Sequence, residues 1–392
     1  MLEFPHKKIK RTIELPEDVI VELPEHLVEY IISTFFPILQ LGVVSKAFRV
    51  AWIQSRDLDF SMIYSKRRSQ SEVVSIIDDI FNQHKGSEIN RFVLMLDHRG
   101  VKDKILSWVK TCQSKNIQEL TLDFSKSKKV IDLSVDFSAI ETLTVLNLRW
   151  CKFEIPNNTL KGLRLLRTLA LMKAKVTPEM IDAIFSNCIN LETLELTRSK
   201  THGILSIKAQ NHKKFKKLAL YSMPNRLQII MDAPTLECFK YEGFVRILDF
   251  SKVGALTEAE LHYIQDYSWR YYNSSHRVLA NMDAYTGVHV LSTTNIFLEI
   301  KKFKFEPGML WQIHQKSDME CKNYKFDTIK EVTIDGFKNH WHELDIVEFF
   351  FGHAKWLKKL ELIMPKKFKK RSLDYARLYS VRSRYPWVNL KV

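Results

Sequence analysis

Few residues in this 392-residue chain have the type and spacing that catalysis or metal binding would need. His340 and His342 place two imidazoles, a preferred ligand of zinc, close together, but no third ligand is evident nearby. The five cysteines contain no Cys-x-x-Cys pair, which argues against both a zinc module and a disulfide framework; they are Cys112, Cys151, Cys188, Cys238 and Cys321. The glycine-rich phosphate loop, the Gly-x-Ser-x-Gly turn and the His-Glu-x-x-His helix are also missing from the sequence. We therefore expect no enzyme, no metal site and no cofactor.

Residues that alternate with leucines offer a different chemistry, the recognition of another protein. Side chains alternate along a strand, so a residue between two buried leucines points away from the core. The candidate contacts with a target protein are Thr121, Asp123, Asn147, Arg149, Met172, Glu195, Thr197, Tyr221, Lys240 and Glu242. Arg149, Met172 and Tyr221 are the preferred anchors, because Arg, Met and Tyr are enriched in protein interfaces. This row has two basic and three acidic residues, so the formal net charge of +15 must arise elsewhere.

A repeated pattern, apolar-x-x-apolar-x-apolar, contains these candidate contacts. The copies are residues 117–122, 143–148, 166–171, 191–196 and 215–220, weaker copies at 236–241 and 256–261, and two late copies at 329–334 and 357–362. The first seven follow one another at steps of 20 to 26 residues. This range is typical of leucine-rich repeats, for which about 20 to 29 residues are expected. We predict an α/β solenoid with parallel strands on the concave face and helices and loops on the convex face.

Helices are predicted at three places outside the repeated strands. Residues 65–112 are interpreted as two helices around one strand, because Phe92, Leu94 and Leu96 alternate while the apolar residues on either side have helical spacing. Between two repeats, Thr177 is a suitable helix cap and Pro178 suits the first turn. The start of the chain, before about residue 60, is predicted to be helical.

This N-terminal segment resembles the F-box. The matching residues are Leu23, Pro24, Leu27, Ile31, Val44, Ser45, Lys46, Phe48, Arg49 and Trp52, of which the first eight are the candidate contacts with an adaptor. The resemblance implies a three-helix unit whose apolar face binds a Skp-type adaptor and, through it, a cullin. Leu27, Ile31 and Val44 are the preferred apolar contacts with the adaptor. The chain departs from the family at Phe48, where tryptophan is commoner, and between Pro37 and Val44, where it is shorter than usual.

Two later stretches resemble plant F-box proteins with leucine-rich repeats. One is Ala233–Gly243, and the other begins at Lys330–Phe337 and looks like an FBD-type C-terminal segment. The predicted domains are an F-box at 15–60, a connecting segment that is repeat-like or a linker at 61–112, the solenoid at 113–365 with an FBD-like part at about 326–365, and a basic tail or cap at 366–392.

The resemblance implies a substrate-recognition subunit of an SCF-type (Skp-cullin-F-box) E3 ubiquitin ligase, with no catalytic site of its own. One alternative is a leucine-rich-repeat scaffold that is not part of a ligase. A nucleic-acid binder, suggested by the charge, is less favoured because the sequence contains no recognised binding module. The longest uncharged run, residues 30–45, is shorter than the roughly 20 residues of a membrane span and contains Pro37. We expect an intracellular protein of the nucleus, the cytoplasm or both, with residues 7–11 as a possible import signal.

Overall fold

A long parallel sheet dominates the computed structural model. The structure describes residues 53–61, 63, 68–154, 163–201, 203–224, 228–244, 248–264, 287–294, 326–339, 341–365 and 375–392. Within these residues the larger sheet has 13 strands. In spatial order they are β1 (Asp57–Phe60), β2 (Arg91–Met95), β3 (Glu119–Asp123), β4 (Val145–Arg149), β5 (Thr168–Met172), β6 (Thr193–Thr197), β8 (Lys217–Tyr221), β10 (Cys238–Phe244), β12 (Glu258–Ile264), β13 (Val290–Thr294), β14 (Glu331–Asp335), β15 (Lys359–Ile363) and β16 (Asn389–Lys391).

The leucines of the repeats form ladders beneath this sheet. Leu120 pairs in register with Leu146, and the same row continues through Leu169, Leu194 and Leu218, all of them fully buried. Each strand is too short to bury its apolar side alone, so the stack is stable because neighbouring strands share one core. Every copy of the repeat predicted from the sequence forms a strand of the sheet, which confirms the solenoid.

Four strands of the larger sheet were not predicted as repeat copies, and one of them, β2, was predicted as a strand outside the repeats. Strand β1 lies at the end of the segment assigned to the F-box, and it pairs with β2 as the first strand of the sheet. Strand β16 lies in the segment assigned to a basic tail or cap. Strand β13 does not match the repeat pattern. Thr293 pairs with Leu261 and Ile334, at the inward position where the other repeats have an apolar residue.

Helices cover the core in the first and the last parts of the described chain. They are α1 (Gln70–Gln83), α2 (Lys102–Ser114), α3 (Pro178–Asn187), α4 (Trp341–His353) and α5 (Tyr375–Arg384). Helix α1 begins at a complete capping box, in which the Ser69 hydroxyl accepts from the Glu72 N–H and the Glu72 carboxylate accepts from the Ser69 N–H. Helix α3 begins at Thr177 with Pro178 in its first turn, as predicted. The helix–strand–helix order predicted for residues 65–112 is confirmed by α1, β2 and α2.

A second sheet takes the place of helices in the middle of the chain. Its strands are β7 (Ile204–Lys208), β9 (Gln228–Asp232) and β11 (Leu248–Lys252), and they join in the order β11, β9, β7. Phe250 of β11 packs edge-to-face on Phe239 of β10, with ring centroids 5.3 Å apart, so this sheet closes the same core. The repeat pattern predicted only helices and loops outside the larger sheet, so these three strands are a correction to it. The short repeat steps in this region instead suit strands, whose apolar residues alternate.

Candidate protein-binding surface

The side chains that point away from the core form the concave face of the larger sheet. Because the strands are in register, these side chains stand in rows that cross the sheet. The middle row runs through Asp59, Val93, Thr121, Asn147, Ala170, Glu195, Ala219, Lys240, Glu260, Ser292, Thr333, Glu361 and Lys391. The last row, two residues further along each strand, runs through Met95, Asp123, Arg149, Met172, Thr197, Tyr221, Glu242 and His262.

All ten residues proposed from the sequence as target contacts lie on this face. Thr121, Asn147, Glu195 and Lys240 belong to the middle row, and the other six belong to the last row. The structure thus brings together residues that are up to 121 positions apart in the chain. Their contact with a target remains a prediction.

Two of the ten candidate target contacts, Asp123 and Thr197, expose little of their side chains to solvent. Asp123 is buried, and its carboxylate accepts a hydrogen bond from the Ser125 N–H at 2.8 Å. Arg149 lies 3.6 Å from the same carboxylate and stays half exposed. Thr197 is also buried, and its hydroxyl donates to Glu195 at 3.3 Å. These two side chains hold their neighbours in place, whereas Arg149 and Glu195 remain accessible.

Ion pairs tie adjacent strands together at both ends of the face. At the first end Arg91 of β2 lies 3.1 Å from Asp59 of β1 and 3.8 Å from Glu119 of β3. At the other end the carboxylate of Glu361 on β15 lies 3.0 Å from the Lys359 ammonium and 2.6 Å from the Lys391 ammonium of β16. The hydrogen bonds from Lys391 and Lys359 lower the pKa of the Glu361 carboxyl. Most charge on these parts of the face is therefore neutralised locally.

A third network of charges surrounds Lys240 on β10. The Lys240 ammonium lies 2.5 Å from Glu260 and 3.5 Å from Glu258, both on the neighbouring strand β12. The hydrogen bond to Glu260 raises the pKa of Lys240, although burial acts in the opposite direction. Burial pushes the pKa of Glu260 upward, but hydrogen bonds from Lys240 and His262 together lower it. His262 approaches the other oxygen of Glu260 at 2.8 Å.

The centre of the face, from β5 to β8, is less charged. Ala170 and Ala219 flank Glu195 in the middle row, and Met172 and Tyr221 lie on either side of Thr197 in the last row. Burial, followed by the negative charge of Glu195, raises the pKa of the Tyr221 hydroxyl, so it stays neutral and can donate a hydrogen bond. An aromatic residue and a methionine surrounded by polar groups match the composition of protein-binding hot spots.

The concave face continues beyond β10, where no contact residues were predicted from the sequence. Glu258, Glu260 and His262 alternate with the inward-facing Ala259 and Leu261, which already belonged to a weak copy of the repeat. The alternation along β12 could therefore have predicted that these three residues lie on the concave face. These residues are functional candidates because they set the charge around Lys240.

Metal-binding groups and cysteine thiols are the alternatives to a protein-binding surface among the described residues. No group of three or more His, Cys, Asp or Glu within them could hold a metal ion. His340 and the side chain of His342 lie outside the described part of the chain. Burial raises the pKa of the Cys151 and Cys188 thiols to about 12, so both are protonated and unreactive at neutral pH. Among the described helices, none is long and apolar enough to cross a bilayer.

The predicted adaptor contacts also lie outside the described residues. All eight, from Leu23 to Phe48, precede the first described residue, Ile53. Their role rests on the sequence alone.

Known proteins resemble this chain over almost its whole length. The family model for the LRR domain of At1g61320/AtMIF1 matches residues 80–295. The putative FBD-associated F-box protein At1g61330 of Arabidopsis thaliana is 47% identical, over 95% of this chain and 97% of its own length. The FBD-associated F-box protein At1g61320 of the same plant is 43% identical, over 100% of this chain and 97% of its own length. The F-box/FBD/LRR-repeat protein At1g13570, also from Arabidopsis thaliana, is 27% identical over 50% of this chain and 47% of its own length.

Proposed function

Because this chain belongs to the family of plant FBD-associated F-box proteins with leucine-rich repeats, we propose that it is the substrate-recognition subunit of an SCF-type E3 ubiquitin ligase. The observation that carries the proposal is the extent of the similarity. The alignment with a relative named as an F-box protein spans 100% of this chain, so it includes residues 15–60 as well as the repeats.

In this role the chain contributes binding and no chemistry of its own. The F-box would bind a Skp-type adaptor, which joins the chain to a cullin and to the enzyme that transfers ubiquitin. The concave face would bind the target protein and hold its lysines near that enzyme. Proximity of this kind accelerates transfer because it replaces a bimolecular encounter with an intramolecular one. Such a ligase subunit would work inside the cell, in the nucleus, the cytoplasm or both.

The centre of the concave face is the part best suited to a target. Met172 and Tyr221 provide partly buried apolar surface, and Glu195 and Arg149 provide charge at its border. Solenoids use extended faces of this kind for protein recognition.

Adaptor binding is the first property to test. The chain would be co-expressed with a panel of plant Skp-type adaptors and purified through a tag on the adaptor. We expect the wild-type chain to copurify and the Leu27→Asp, Val44→Asp variant to be lost from the complex, because a charge at either position would oppose apolar contact. A matched control is Val130→Asp with Leu165→Asp, two half-exposed apolar residues of the solenoid, which should copurify like the wild type. Circular dichroism would show that each variant stays folded.

The second candidate function is a leucine-rich-repeat scaffold for protein interactions that is not part of a ligase. The segment between Pro37 and Val44, shorter than usual for the family, favours it. If the folded wild-type chain binds no adaptor of the panel, the ligase proposal is overturned and the scaffold function takes its place.

A further inference from the structure

The residue directly after a strand has an unusual backbone in four neighbouring repeats. Trp150, Lys173, Arg198 and Ser222 follow β4, β5, β6 and β8, and their φ angles are 59°, 62°, 47° and 52°. The backbone N–H of each donates to the next strand, for example from Lys173 to the Thr197 carbonyl at 2.9 Å and from Arg198 to the Tyr221 carbonyl at 2.8 Å. The turn is therefore a regular part of the repeat.

Glycine would adopt this backbone most easily, because it has no Cβ that clashes at positive φ. The chain instead has a tryptophan, a lysine and an arginine at three of the four positions. Bulky residues at positive φ destabilise a fold and are found where the structure or the function needs their side chains. The side chains at this edge of the sheet are thus good candidates for a binding role.

Four cations gather at this edge, and we call them the strand-end basic patch: Lys173, Lys175, Arg198 and Lys200. Lys175 and Lys200 stand side by side in a parallel bridge, where neighbouring chains are about 4.8 Å apart. Three of the four are exposed, and Lys173 is half-buried. Like charges in adjacent positions repel each other, so the pair weakens the fold unless an anion lies nearby.

The patch has no such anion within the part of the chain that the structure describes. None of its four cations has a carboxylate within 4.0 Å there. On the concave face, by contrast, Arg91, Lys240 and Lys359 each lie within 3.1 Å of an acid. The patch therefore offers a partner's negative charge four cations that no described carboxylate neutralises at that distance.

Two observations favour a protein segment over a nucleic acid. Proteins that bind single strands offer aromatic faces on which bases stack. Here the Lys173 ammonium lies 5.3 Å from the centre of the Trp150 ring and occupies one of its faces. A carboxylate also borders the patch, since Glu195 lies on β6, the strand that Arg198 directly follows. Such a neighbour would repel a continuous phosphate backbone, whereas a short acidic segment can avoid it.

We propose that the strand-end basic patch docks an acidic segment of the target protein. Lys173 directly follows Met172, so the patch adjoins the apolar centre of the concave face. A target would place apolar side chains on that centre and Asp or Glu side chains along the edge. This inference rests on the proposed function, because it names the chemistry of the target that the face receives.

The test measures the binding of labelled probes to the full chain by fluorescence anisotropy at about 50 mM salt, where screening is weak. The probes are a glutamate-rich peptide, a lysine-rich peptide of the same length and an oligothymidylate. We expect the glutamate-rich peptide to bind best. The Lys175→Glu, Lys200→Glu variant should bind it about tenfold more weakly, since two attractive contacts become repulsive.

A matched control separates the patch from the overall charge. Lys102→Glu with Lys110→Glu changes the net charge equally on the exposed surface of α2, and should leave affinity within about twofold, because α2 lies between β2 and β3 whereas the patch follows β5 and β6. Lys175→Gln with Lys200→Gln provides a milder pair of changes if the charge reversal does not fold.

Three outcomes would overturn the inference: no binding of the glutamate-rich peptide, an equal loss in the α2 control, or tighter binding of the oligothymidylate through the same lysines. The last would assign the patch to nucleic acid. Failure of the proposed function is measured separately, since the patch variant should still copurify with a Skp-type adaptor if the F-box is active.

Discussion

The Lys240–Glu260 pair allows the clearest energetic prediction for the concave face. Replacing Lys240 with Met removes the cation but keeps a long apolar stem, and replacing Glu260 with Gln removes the anion at constant size. The free energy of unfolding of the wild type, both single variants and the double variant then defines the coupling between the two side chains.

The expected magnitude follows from the geometry. The ammonium and the carboxylate are 2.5 Å apart, and the side chains of Lys240 and Glu260 are only 23% and 27% exposed. Fully exposed ion pairs contribute about 0.2 to 1 kcal/mol. Hydrogen bonds to charged groups contribute about 1.5 to 3 kcal/mol. Because solvent still reaches this pair, we expect a coupling near the lower end of the second range, about 1.5 kcal/mol.

The coupling should also depend on pH. The folded-state pKa of Glu260 is lowered, so the folded chain holds the charged carboxylate more strongly than the unfolded chain does. Stability from the pair is fully present above the ordinary value of 4.5 and is lost as the pH falls through the lower folded-state value. Lys240 has a raised pKa and remains charged throughout this window.

Urea unfolding followed by circular dichroism, at pH 7 and at several acidic values, would measure the coupling. The matched control is Lys216 with Glu237, a pair at 2.7 Å whose side chains are 55% and 47% exposed, which should couple more weakly. A coupling at Lys240 no larger than that of the control would refute the idea that partial burial strengthens the pair. A coupling that is unchanged in acid would refute the assignment of the effect to the Glu260 charge.

Three further predictions concern the fold. Phe215→Ala should lower the free energy of unfolding by about 3 to 5 kcal/mol in urea, because the ring is fully buried, whereas Leu165→Ala at a half-exposed site should change it by less than about 0.5 kcal/mol. Ser69→Ala removes the cap of α1 and should cost about 1 kcal/mol by the same assay; no loss would show that the cap is dispensable. Iodoacetamide at pH 8 should leave Cys151 and Cys188 unmodified until urea is added, as followed by mass spectrometry, and rapid labelling of the folded chain would contradict their burial.

Much of the fold could be predicted because the apolar spacing that identifies each repeat lies within one short segment of the chain. A leucine ladder such as Leu120 to Leu218 needs only apolar residues at fixed spacing, and any strand with that pattern must bury its apolar side against a neighbour. Helix α3 was equally predictable, since Thr177 and Pro178 act within one turn of chain. The same alternation placed the ten proposed target contacts on one face.

The repeat pattern failed where a strand departs from it. Thr293 stands at an inward position, so β13 carried no sequence signal. Strand formation there is decided by the neighbours β12 and β14, which pair with it on both sides. Strands β7, β9 and β11 were missed for a related reason, because their short apolar runs do not distinguish a strand from a loop that packs on the core.

The sequence by itself determined which residues face inward and which face outward, because that choice depends on the alternation within a single strand. Only the tertiary structure decided which outward residues are neutralised and which are not. Lys240 finds Glu260 20 positions later because the register of β10 and β12 sets them side by side. A parallel bridge likewise sets Lys175 beside Lys200, but both side chains are cations, so neither neutralises the other. Electrostatic contacts depend on distances of a few ångströms between remote segments, and those distances exist only once the strands have paired.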